Sequence, residues 1–499
     1  MTAPADTAAP APAFFDVIVV GAGLSGIAAG HYLQTLCPGR TYTILEGRQA
    51  IGGTWDLFRY PGVRSDSDMF TLGYSFRPWE SDASFAAGPV IRDYVVSTAK
   101  EEGIDSHIRF GHRVTGADWD SAQARWNVAA VTAHGELRMS CRFLFFCSGY
   151  YDYTHGHDPQ WPGRDSFTGR IVHPQQWPAD VDFAGRRVVV IGSGATAVTL
   201  VPELAATAAH VTMLQRSPSY VVALPARDRI GAALRRALPR TLAYRLIRWK
   251  NILLTTAFYQ YSRRWPERAR AMLLHAARQL LPPGFDVGRH LSPSYKPWDQ
   301  RLCIAPDADL FRALASGKAS IVTDTIERIT PGGIRLASGA ELPADIIVTA
   351  TGLKLKLLGG AQLRVDGVPV ALSRAMVYRG AMYSGVPNMA VASGYVNASW
   401  TLKCELLARY VCRLLNHMQA RGLDSVVPVA SPDETAATQP FLNLSSGYVQ
   451  RAKDVLPRQG SHLPWRMVQN YLLDLLLLRF SSLRDEALRF GRVSRRGTP

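Results

Sequence analysis

The chain has 499 residues, 47% of them apolar and 19% charged, so it is long enough for two or three domains and too apolar to be disordered. Its formal net charge of +16 favours anionic partners, although arginine spread over a solvated surface is the simpler interpretation. The sequence contains no basic block with interleaved aromatics, so it does not indicate a nucleic-acid partner. Six cysteines without C-x-x-C or metal-ligand spacing predict buried thiols in a reducing, cytoplasmic compartment, no metal site and no dithiol reductase.

The N-terminal segment "MTAPADTAAPAPAF", residues 1–14, is rich in alanine and proline. It lacks the basic and apolar regions of a signal peptide. We therefore predict a flexible tail over these residues.

The first predicted strand, turn and helix lie in "FDVIVVGAGLSGIAAGHYL", which contains Gly21-x-Gly23-x-x-Gly26. Glycines at this spacing permit a tight turn and bring a pyrophosphate close to the helix N-terminus. The next predicted strand, "TYTILEG", ends at Glu46, where a carboxylate can accept hydrogen bonds from both hydroxyls of an adenosine ribose. This unit therefore predicts a dinucleotide site of the FAD or NAD type.

An unusual stretch follows, "GGTWDLFRYPGVRSD", from Gly52 to Asp66. It combines two adjacent glycines, a tryptophan, a Tyr-Pro-Gly turn and several charges within fifteen residues. A rigid aromatic loop is a sufficient account of Leu57 and Phe58, but it explains Asp66 alongside Arg64 poorly.

The strand-turn-helix unit recurs as "RRVVVIGSGATAVTLVPEL", with Gly192-x-Gly194-x-x-Ala197, and a strand "HVTMLQRS" follows. Here no acid ends the second strand, and Arg216 and Ser217 stand in its place. Because a guanidinium binds a ribose 2'-phosphate that a carboxylate would repel, the second unit predicts NADPH.

Residues 227–290 read as helical and basic, and "RRALPRTLAYRLIRWKNILLTTAFYQYSRRW" alternates apolar with cationic positions. A helical insertion explains this pattern most simply, and peripheral attachment to anionic membrane at its inner face is the second reading. Near the C-terminus, "NYLLDLLLLRF" is too short to span a bilayer, and we interpret it as a buried core helix rather than an interfacial one.

Two strings carry a resemblance to a known family. Phe167-x-Gly169-x-x-x-His173-x-x-x-Trp177-Pro178 matches one fingerprint of the type I Baeyer-Villiger monooxygenases, and the Gly52 to Asp66 stretch matches their second. The chain resembles this family from about residue 15 to 490, and "PWDQRLC" and "NASWTLK" are similar to its ethionamide-monooxygenase branch.

The resemblance implies an FAD- and NADPH-dependent enzyme that uses O2 to convert ketones to esters or lactones through a C4a-peroxyflavin. Sulfoxidation of thioethers and thioamides is implied as a side activity. Arg301 would stabilise the anionic peroxyflavin, and Asp66 would hold its guanidinium in place. Many relatives carry Lys where this chain has Gln300, so NADPH preference would depend on Arg216 and Ser217.

The predicted site residues follow from these motifs and from the resemblance. Those of the fingerprint are expected to set linker geometry between the two cofactor domains rather than to transfer protons. The catalytic pair is Arg301 with Asp66, and the fingerprint residues are Phe167, Gly169, His173, Trp177 and Pro178. The cofactor-binding residues are Gly21, Gly23, Ser25, Gly26, Glu46, Thr54, Trp55, Arg64, Ser65, Asp66, Val114, Gly192, Ser193, Gly194, Ala195, Thr196, Ala197, Arg216 and Ser217.

The predicted fold class is α/β, with two Rossmann-type dinucleotide-binding domains for FAD and NADPH and a helical insertion at about 227–290. The strand in "ADIIVTATGLK" is expected to return the chain to the first domain, so that the NADPH domain is inserted in the FAD domain. The predicted segments are the tail at 1–14, the FAD domain at 15–165 and 341–499 with a C-terminal helical segment, a fingerprint linker at 166–180 and the NADPH domain at 181–340.

Two other functions compete with this one. A flavin-containing N- or S-monooxygenase is disfavoured because that family usually lacks the Trp177-Pro178 pair. A non-oxygenating NADPH-dependent flavoprotein is disfavoured by Arg301 together with Asp66. The ketone or sulfide substrate and the oligomeric state are not fixed by the sequence.

Overall fold

The structure is a computed structural model that describes residues 13–436, 438–442 and 444–493. Its strands are, in chain order, β1 Ala13–Val20, β2 Tyr42–Leu45, β3 Ile108–Arg109, β4 Arg113–Asp120, β5 Arg125–Thr132, β6 Gly135–Phe146, β7 Arg170–Val172, β8 Arg187–Ile191, β9 His210–Gln215, β10 Val221–Leu224, β11 Cys303–Pro306, β12 Ala319–Thr323, β13 Ile326–Thr330, β14 Gly333–Leu336, β15 Glu341–Pro343, β16 Ile346–Thr349, β17 Gln362–Val365, β18 Val368–Pro369, β19 Val377–Tyr378, β20 Met382–Tyr383, β21 Met389–Val391, β22 Ser425–Pro428, β23 Gln439–Pro440, β24 Arg458–Gln459 and β25 Leu488–Gly491.

The helices lie between and after these strands. They are α1 Leu24–Leu36, α2 Thr54–Leu57, α3 Met69–Leu72, α4 Gly88–Glu101, α5 Ala195–Leu204, α6 Arg229–Ala237, α7 Arg240–Arg264, α8 Pro266–Gln279, α9 Val287–His290, α10 Asp309–Ala315, α11 Trp400–Ala420, α12 Pro432–Ala436, α13 Gly447–Ala452 and α14 Tyr471–Arg479.

The first sheet is built around β1, whose inner residues from Val17 to Val19 are fully buried. In the described residues its order is β18-β17-β4-β5-β6-β1-β2-β3, and β21 pairs with β6. The strands β1, β2, β3, β6 and β21 run parallel, as expected of a Rossmann unit, whereas β4 and β5 form an antiparallel meander with β6. The late strands β17, β18 and β21 therefore bring the C-terminal part of the chain back to the first sheet.

The second sheet has the order β12-β9-β8-β16-β7 and is parallel throughout, again as in a Rossmann unit. Its edge strand β7 comes from the predicted fingerprint linker, and β16 follows the predicted boundary at residue 341. The sheet pairing thus shifts both boundaries, because hydrogen bonds along β8 hold β16 until Thr349, and the chain leaves the second sheet only after that residue.

The predicted helical insertion contains α6, α7, α8 and α9, between the paired strands β10 and β11. The predicted fold class, with two Rossmann-type units and a helical insertion, is confirmed by this architecture and by the solved structures described below.

Three further predictions, on the N-terminal tail, the C-terminal helix and the cysteines, can be compared with the structure. Ala13 and Phe14 begin β1 instead of belonging to a tail, and residues 1–12 lie outside the described residues. The segment predicted as a core helix, α14, buries only Asp474 and Leu478 and exposes leucines on its other side. All six cysteines, each within the described residues, are buried and unpaired, as predicted. Among the described residues, no helix has both the length and the apolar content needed to cross a membrane.

Candidate functional site

The first glycine-rich turn joins β1 to α1, and its shape excludes side chains. Gly21 has a φ of +103° and donates from its backbone N–H to the Leu45 oxygen at 2.8 Å. A Cβ at Gly26 would lie 1.9 Å from the Gly21 oxygen, so only glycine fits there. At Gly23 the nearest atom to such a Cβ is 3.6 Å away, which leaves the approach to the α1 N-terminus open for a pyrophosphate.

Glu46 is held beside this turn directly after β2. It is buried, and its carboxylate accepts the backbone N–H of Ala22 at 2.8 Å and that of Arg48 at 2.9 Å. These bonds orient the carboxylate at the end of the strand, which is the position of a ribose-binding acid in a Rossmann unit.

The beginning of the Gly52 to Asp66 stretch lies against the same turn. The Gly52 N–H donates to the Ala22 oxygen at 3.1 Å, and the Gly53 backbone, with a φ of +56°, faces Gly23. The Thr54 hydroxyl hydrogen-bonds with Tyr153 at 3.2 Å, and the half-buried Trp55 packs on the core of the first unit. The backbone of Gly52 and Gly53, which carry no side chain, therefore borders the predicted flavin site.

The end of the stretch reaches the second Rossmann unit. The Tyr60 ring packs on the core of that unit, and burial raises the pKa of its hydroxyl to about 12. A Cβ at Gly62 would lie 3.2 Å from Glu203 of α5, and Arg64 pairs with Asp309 of α10 at 2.5 Å. The stretch thus bridges the two units. Ser65 is buried, and its hydroxyl accepts the Ala86 N–H, so its contribution is to loop structure.

The second glycine-rich turn joins β8 to α5 in the same way. A Cβ at Gly192 would lie 2.3 Å from the Ala350 oxygen, whereas one at Gly194 would meet no atom within 4 Å. Gly194 and Ala195 are exposed at the α5 N-terminus, with Thr196 half-buried beside them, while Ala197 is fully buried against the sheet. Alanine is therefore tolerated at the third position of this motif.

After β9 the side chains of Arg216 and Ser217 are exposed, and within the described part of the chain neither has a hydrogen-bonding or ionic partner. The preceding residue, Gln215, is buried and donates to the His290 oxygen at 2.7 Å. Partial burial and the charge of Arg216 together lower the pKa of Arg451 of α13. Arg451 therefore lies within electrostatic range of Arg216. Sequence reasoning missed Arg451, which belongs to no motif.

Arg301 and Asp66 form a two-pronged ion pair between distant parts of the chain. The Arg301 Nε donates to Asp66 Oδ2 at 2.8 Å, and its Nη2 donates to Oδ1 at 3.1 Å. Burial opposes the guanidinium charge, and the Asp66 carboxylate is the main group that favours it, so the pKa of Arg301 lies above its ordinary value. The cation is fixed and remains charged at any physiological pH.

Three tyrosines missed at the sequence level surround this pair. Burial raises the pKa of Tyr150, Tyr151 and Tyr448, and each lies close enough to Arg301 for its charge to act on them. The Tyr150 and Tyr151 hydroxyls are 3.3 Å apart, and the Tyr150 ring is 5.1 Å from that of Trp400. These hydroxyls stay protonated and can donate hydrogen bonds.

A cavity of about 710 Å³ extends from Arg301 and Asp66 towards the helical insertion. Most of its wall is apolar, with residues from α7, α8 and the loop before α11. Asp68 is one of the acids that line it. Burial raises the pKa of Asp68, although its carboxylate accepts hydrogen bonds from Thr71 and Asn251.

Within the described residues, the fingerprint residues make no hydrogen bond to Arg301 or Asp66. Their contacts are with the second unit and with the chain near Gly156. The His173 Nδ1 accepts the Gln175 N–H at 3.1 Å, and a Cβ at Gly156 would collide with the His173 ring. Trp177 stacks on Phe183 with centroids 5.4 Å apart, and Phe167 packs on the second sheet. A Cβ at Gly169 would lie 2.2 Å from the Asp345 oxygen.

Several other predicted residues have partners elsewhere in the protein. Val114 is buried in β4, and its side chain belongs to the core on one face of the first sheet. Ser25 accepts the Trp400 indole N–H at 3.0 Å and donates to Cys404, and the hydroxyls of Ser193 and Ser219 are 3.1 Å apart. Half-buried Pro178 follows Trp177.

The residues present fit two dinucleotides. Each glycine-rich turn leaves an uncapped helix N-terminus open to an anion. The next strand is followed by the acid Glu46 in the first unit and by the cation Arg216 in the second. Buried polar atoms without a partner, Arg64 Nη2, Asn397 Oδ1 and Trp298 Nε1, occur beside the predicted cofactor path and the cavity. Such atoms need a hydrogen-bonding ligand or water, which agrees with a polar group bound there.

Comparison with known proteins is consistent with this site. Residues 16–229 match the family model "flavin-binding monooxygenase-like". The chain is 54% identical over 479 residues to the FAD-containing monooxygenase EthA of Mycobacterium tuberculosis, covering 96% of this chain and 98% of that protein. It is 45% identical to the probable FAD-binding monooxygenase AlmA of Acinetobacter baylyi, covering 96% of each chain.

Solved structures share the fold. The structure "oxidized steroid monooxygenase bound to NADP" matches with a TM-score of 0.73 and 23% identity, covering 96% of this chain and all of that one. The open crystal structure of cyclohexanone monooxygenase matches with a TM-score of 0.69 and 20% identity, covering 85% of this chain and 91% of that one. These two solved structures therefore share the fold over most of the chain.

Proposed function

The chain belongs to the FAD-containing flavin monooxygenase family, and from that membership we propose that it is an NADPH-dependent Baeyer-Villiger monooxygenase. It inserts one oxygen atom of O2 beside a ketone carbonyl to give an ester or lactone, and the second oxygen atom leaves as water. The Arg301–Asp66 ion pair in the wall of a mainly apolar cavity is the observation that carries this proposal.

FAD is assigned to the first glycine-rich turn and NADPH to the second. Glu46 suits the free ribose hydroxyls of FAD, and Arg216 and Ser217 suit the 2'-phosphate of NADPH, with Arg451 as a second guanidinium nearby. When bound, the two cofactors supply the hydride and the activated oxygen.

Arg301 acts on the developing negative charge of the reaction. A ketone carbonyl that is attacked by a nucleophile becomes an oxyanion, and a fixed cation lowers the energy of that state. Arginine suits this position because it cannot lose its proton to the oxyanion. Asp66 holds both prongs of the guanidinium, so little reorganisation is needed during the reaction.

The cavity walls would surround a bound substrate. They are mainly apolar, which favours ketones with extended or bulky apolar groups over small polar ones. Soft sulfur in thioethers and thioamides is a second acceptor for electrophilic oxygen, and we propose sulfoxidation as a side activity.

The test is oxidation of a panel of linear, cyclic and aromatic ketones, thioethers and amines with NADPH and ¹⁸O2. We expect esters or lactones that carry one ¹⁸O atom, with one NADPH consumed per product. N-oxides without esters would instead indicate a heteroatom oxygenase, and NADPH consumption that yields only hydrogen peroxide would reject oxygen transfer to any of these substrates.

A further inference from the structure

The outer surface of the helical insertion carries exposed apolar residues next to the cavity. We propose that this surface binds a lipid bilayer that contains anionic lipids, and that the cavity opens into it. We call it the docking face and define it by Ile230 of α6 and by Leu242, Leu246, Trp249 and Leu253 of α7.

The α7 residues form a stripe. Leu242, Leu246, Trp249 and Leu253 are spaced by four, three and four positions, so they lie on one side of the helix. The opposite side is buried, through residues such as Ile247 and Arg248. The side chains of the docking face are between 41% and 60% exposed, which is unusual for a row of large apolar residues on a single soluble domain.

The cavity reaches the protein surface at this face. Ile230, Leu254 and Met272 line the cavity and are also between 45% and 60% exposed. A lining residue with that exposure must stand where the cavity meets solvent, so the mouth lies among α6, α7 and α8. Its rim is apolar and shares Ile230 with the docking face, and Leu254 of the rim follows Leu253 of that face in the chain.

The charge around the face selects anionic lipid. Residues 229–279 contain twelve arginines and lysines but a single acid, Glu267. Five of these cations pair with acids, among them Arg248 with Glu405 and Lys250 with Asp228. Within the described residues six exposed arginines have no ion-pair partner: Arg229, Arg236, Arg245, Arg264, Arg268 and Arg278. Basic residues around an apolar helix face are attracted to anionic headgroups.

The same charge argues against a second copy of the chain as the occupant. A symmetric dimer through the docking face would place each set of unpaired arginines opposite its own copy, and like charges across an interface are unfavourable. A bilayer instead satisfies both features, because its headgroups accept the arginines and its acyl region accepts the leucines and Trp249.

A substrate consequence rests on the proposed function. Apolar ketones partition into lipid, and a cavity whose apolar rim lies in the bilayer surface receives them without passage through water. Ketones that dissolve in water would gain nothing from the docking face.

The test is flotation of the purified, FAD-loaded full-length chain with vesicles of phosphatidylcholine alone or with phosphatidylglycerol added. We expect binding to the anionic vesicles that weakens as salt rises. The variant Leu246→Ser/Trp249→Ser/Leu253→Ser should lower this binding by about tenfold or more. The matched control Val131→Ser/Val368→Ser, which changes exposed apolar residues of the first sheet, should bind as the wild type does.

A milder variant protects the test against misfolding. Trp249→Phe should retain binding but lose part of the fluorescence that brominated lipid quenches in the wild type. Binding that is absent, that is equal for both triple and control variants, or that gives way to dimers abolished by the triple variant would each overturn the proposal.

Activity distinguishes this proposal from the proposed function. The triple variant should keep kcat/KM for a short, water-soluble ketone and lose about tenfold for a long-chain ketone supplied in anionic vesicles. Vesicle binding without turnover of any ketone would reject the proposed function and leave the docking face standing. Equal loss for both ketones would overturn the delivery role.

Discussion

Single residues determine the chemistry of this protein through the partners that fix them. Arg301 keeps its charge because Asp66 holds it by two hydrogen bonds, and Arg216 stays available because no acid follows β9. The His173 Nδ1 accepts the Gln175 backbone N–H, which fixes the orientation of the ring. Three predictions follow at this scale.

Replacing Arg301 by alanine should lower ester formation by about 100-fold or more, because one preorganised group that stabilises an oxyanion contributes this much. NADPH consumption should continue and yield hydrogen peroxide. Arg301→Lys should recover only part of the rate, since a lysine cannot form the two-pronged contact with Asp66. Product analysis by gas chromatography checks this, with Arg335→Ala, at an exposed surface pair, as the control.

Replacing Arg216 by alanine should raise KM for NADPH by about 10- to 100-fold, which corresponds to the loss of a charge-assisted hydrogen bond of about 1.5–3 kcal/mol. KM for NADH should change little because NADH lacks the 2'-phosphate. Initial rates with both cofactors test this, and Arg186→Ala, at another exposed position of the same unit, is the control. A parallel rise for both cofactors would contradict the assignment.

The pH dependence of stability reports on His173. Burial lowers its pKa in the folded chain from the ordinary value of 6.5. Its contribution to stability is therefore complete above pH 6.5 and is lost as pH falls towards the folded-state pKa, by at most about 1.4 kcal/mol per pH unit. His173→Asn should reduce the difference between thermal midpoints at pH 7 and pH 5.5. His134→Asn, at an exposed loop, should leave that difference unchanged.

At the scale of elements, α7 is attached to the first unit through a buried charge. Arg248 donates to Glu405 at 2.7 Å and to the backbone oxygens of Phe70 and Gly73, while Glu405 also accepts from Tyr32 and Ser75. Every charged group in this network has partners. One face of α7 is thereby anchored, which leaves the other for the docking face.

Replacing Arg248 by leucine should destabilise the protein by about 3–5 kcal/mol, because Glu405 would remain buried without its cation. Arg263→Leu is the matched control, since its pair with Asp299 is solvent-exposed and worth under about 1 kcal/mol. Denaturant unfolding checks both values. An equal, small effect for the two variants would show that the buried pair contributes no more than a surface pair.

At the scale of the whole molecule, the two Rossmann units meet through the Gly52 to Asp66 stretch. One end lies on the first glycine-rich turn, and the other contacts α5 and α10 of the second unit. The stretch therefore connects the two glycine-rich turns that are assigned to the nucleotides.

Replacing Arg64 by leucine removes its ion pair with Asp309 and should loosen the relative placement of the units. We expect kcat for NADPH-dependent ketone oxidation to fall about tenfold or more, as misplaced reacting groups cost this much. The Kd for NADP⁺ should rise by less than kcat falls, because the 2'-phosphate is assigned to Arg216 and Ser217 and not to Arg64. Calorimetry and initial rates separate the two effects, and weaker NADP⁺ binding with normal kcat would refute the bridging role.

The family resemblance supplied the expected pairing of Arg301 with Asp66, and local patterns in the sequence predicted two glycine-rich turns and the contrast between Glu46 and Arg216. These are readable because a tight turn, a helix start or a strand end depends on residues close in the chain. The geometry of the Arg301–Asp66 pair, whose members are 235 residues apart, came from the three-dimensional structure. The same packing brings Tyr448 within electrostatic range of Arg301 and Arg451 within range of Arg216, and it joins β16 to the second sheet. It also decided which side of α7 stays exposed. Those contacts arise from packing between elements that are distant in the chain, and no local pattern encodes that packing.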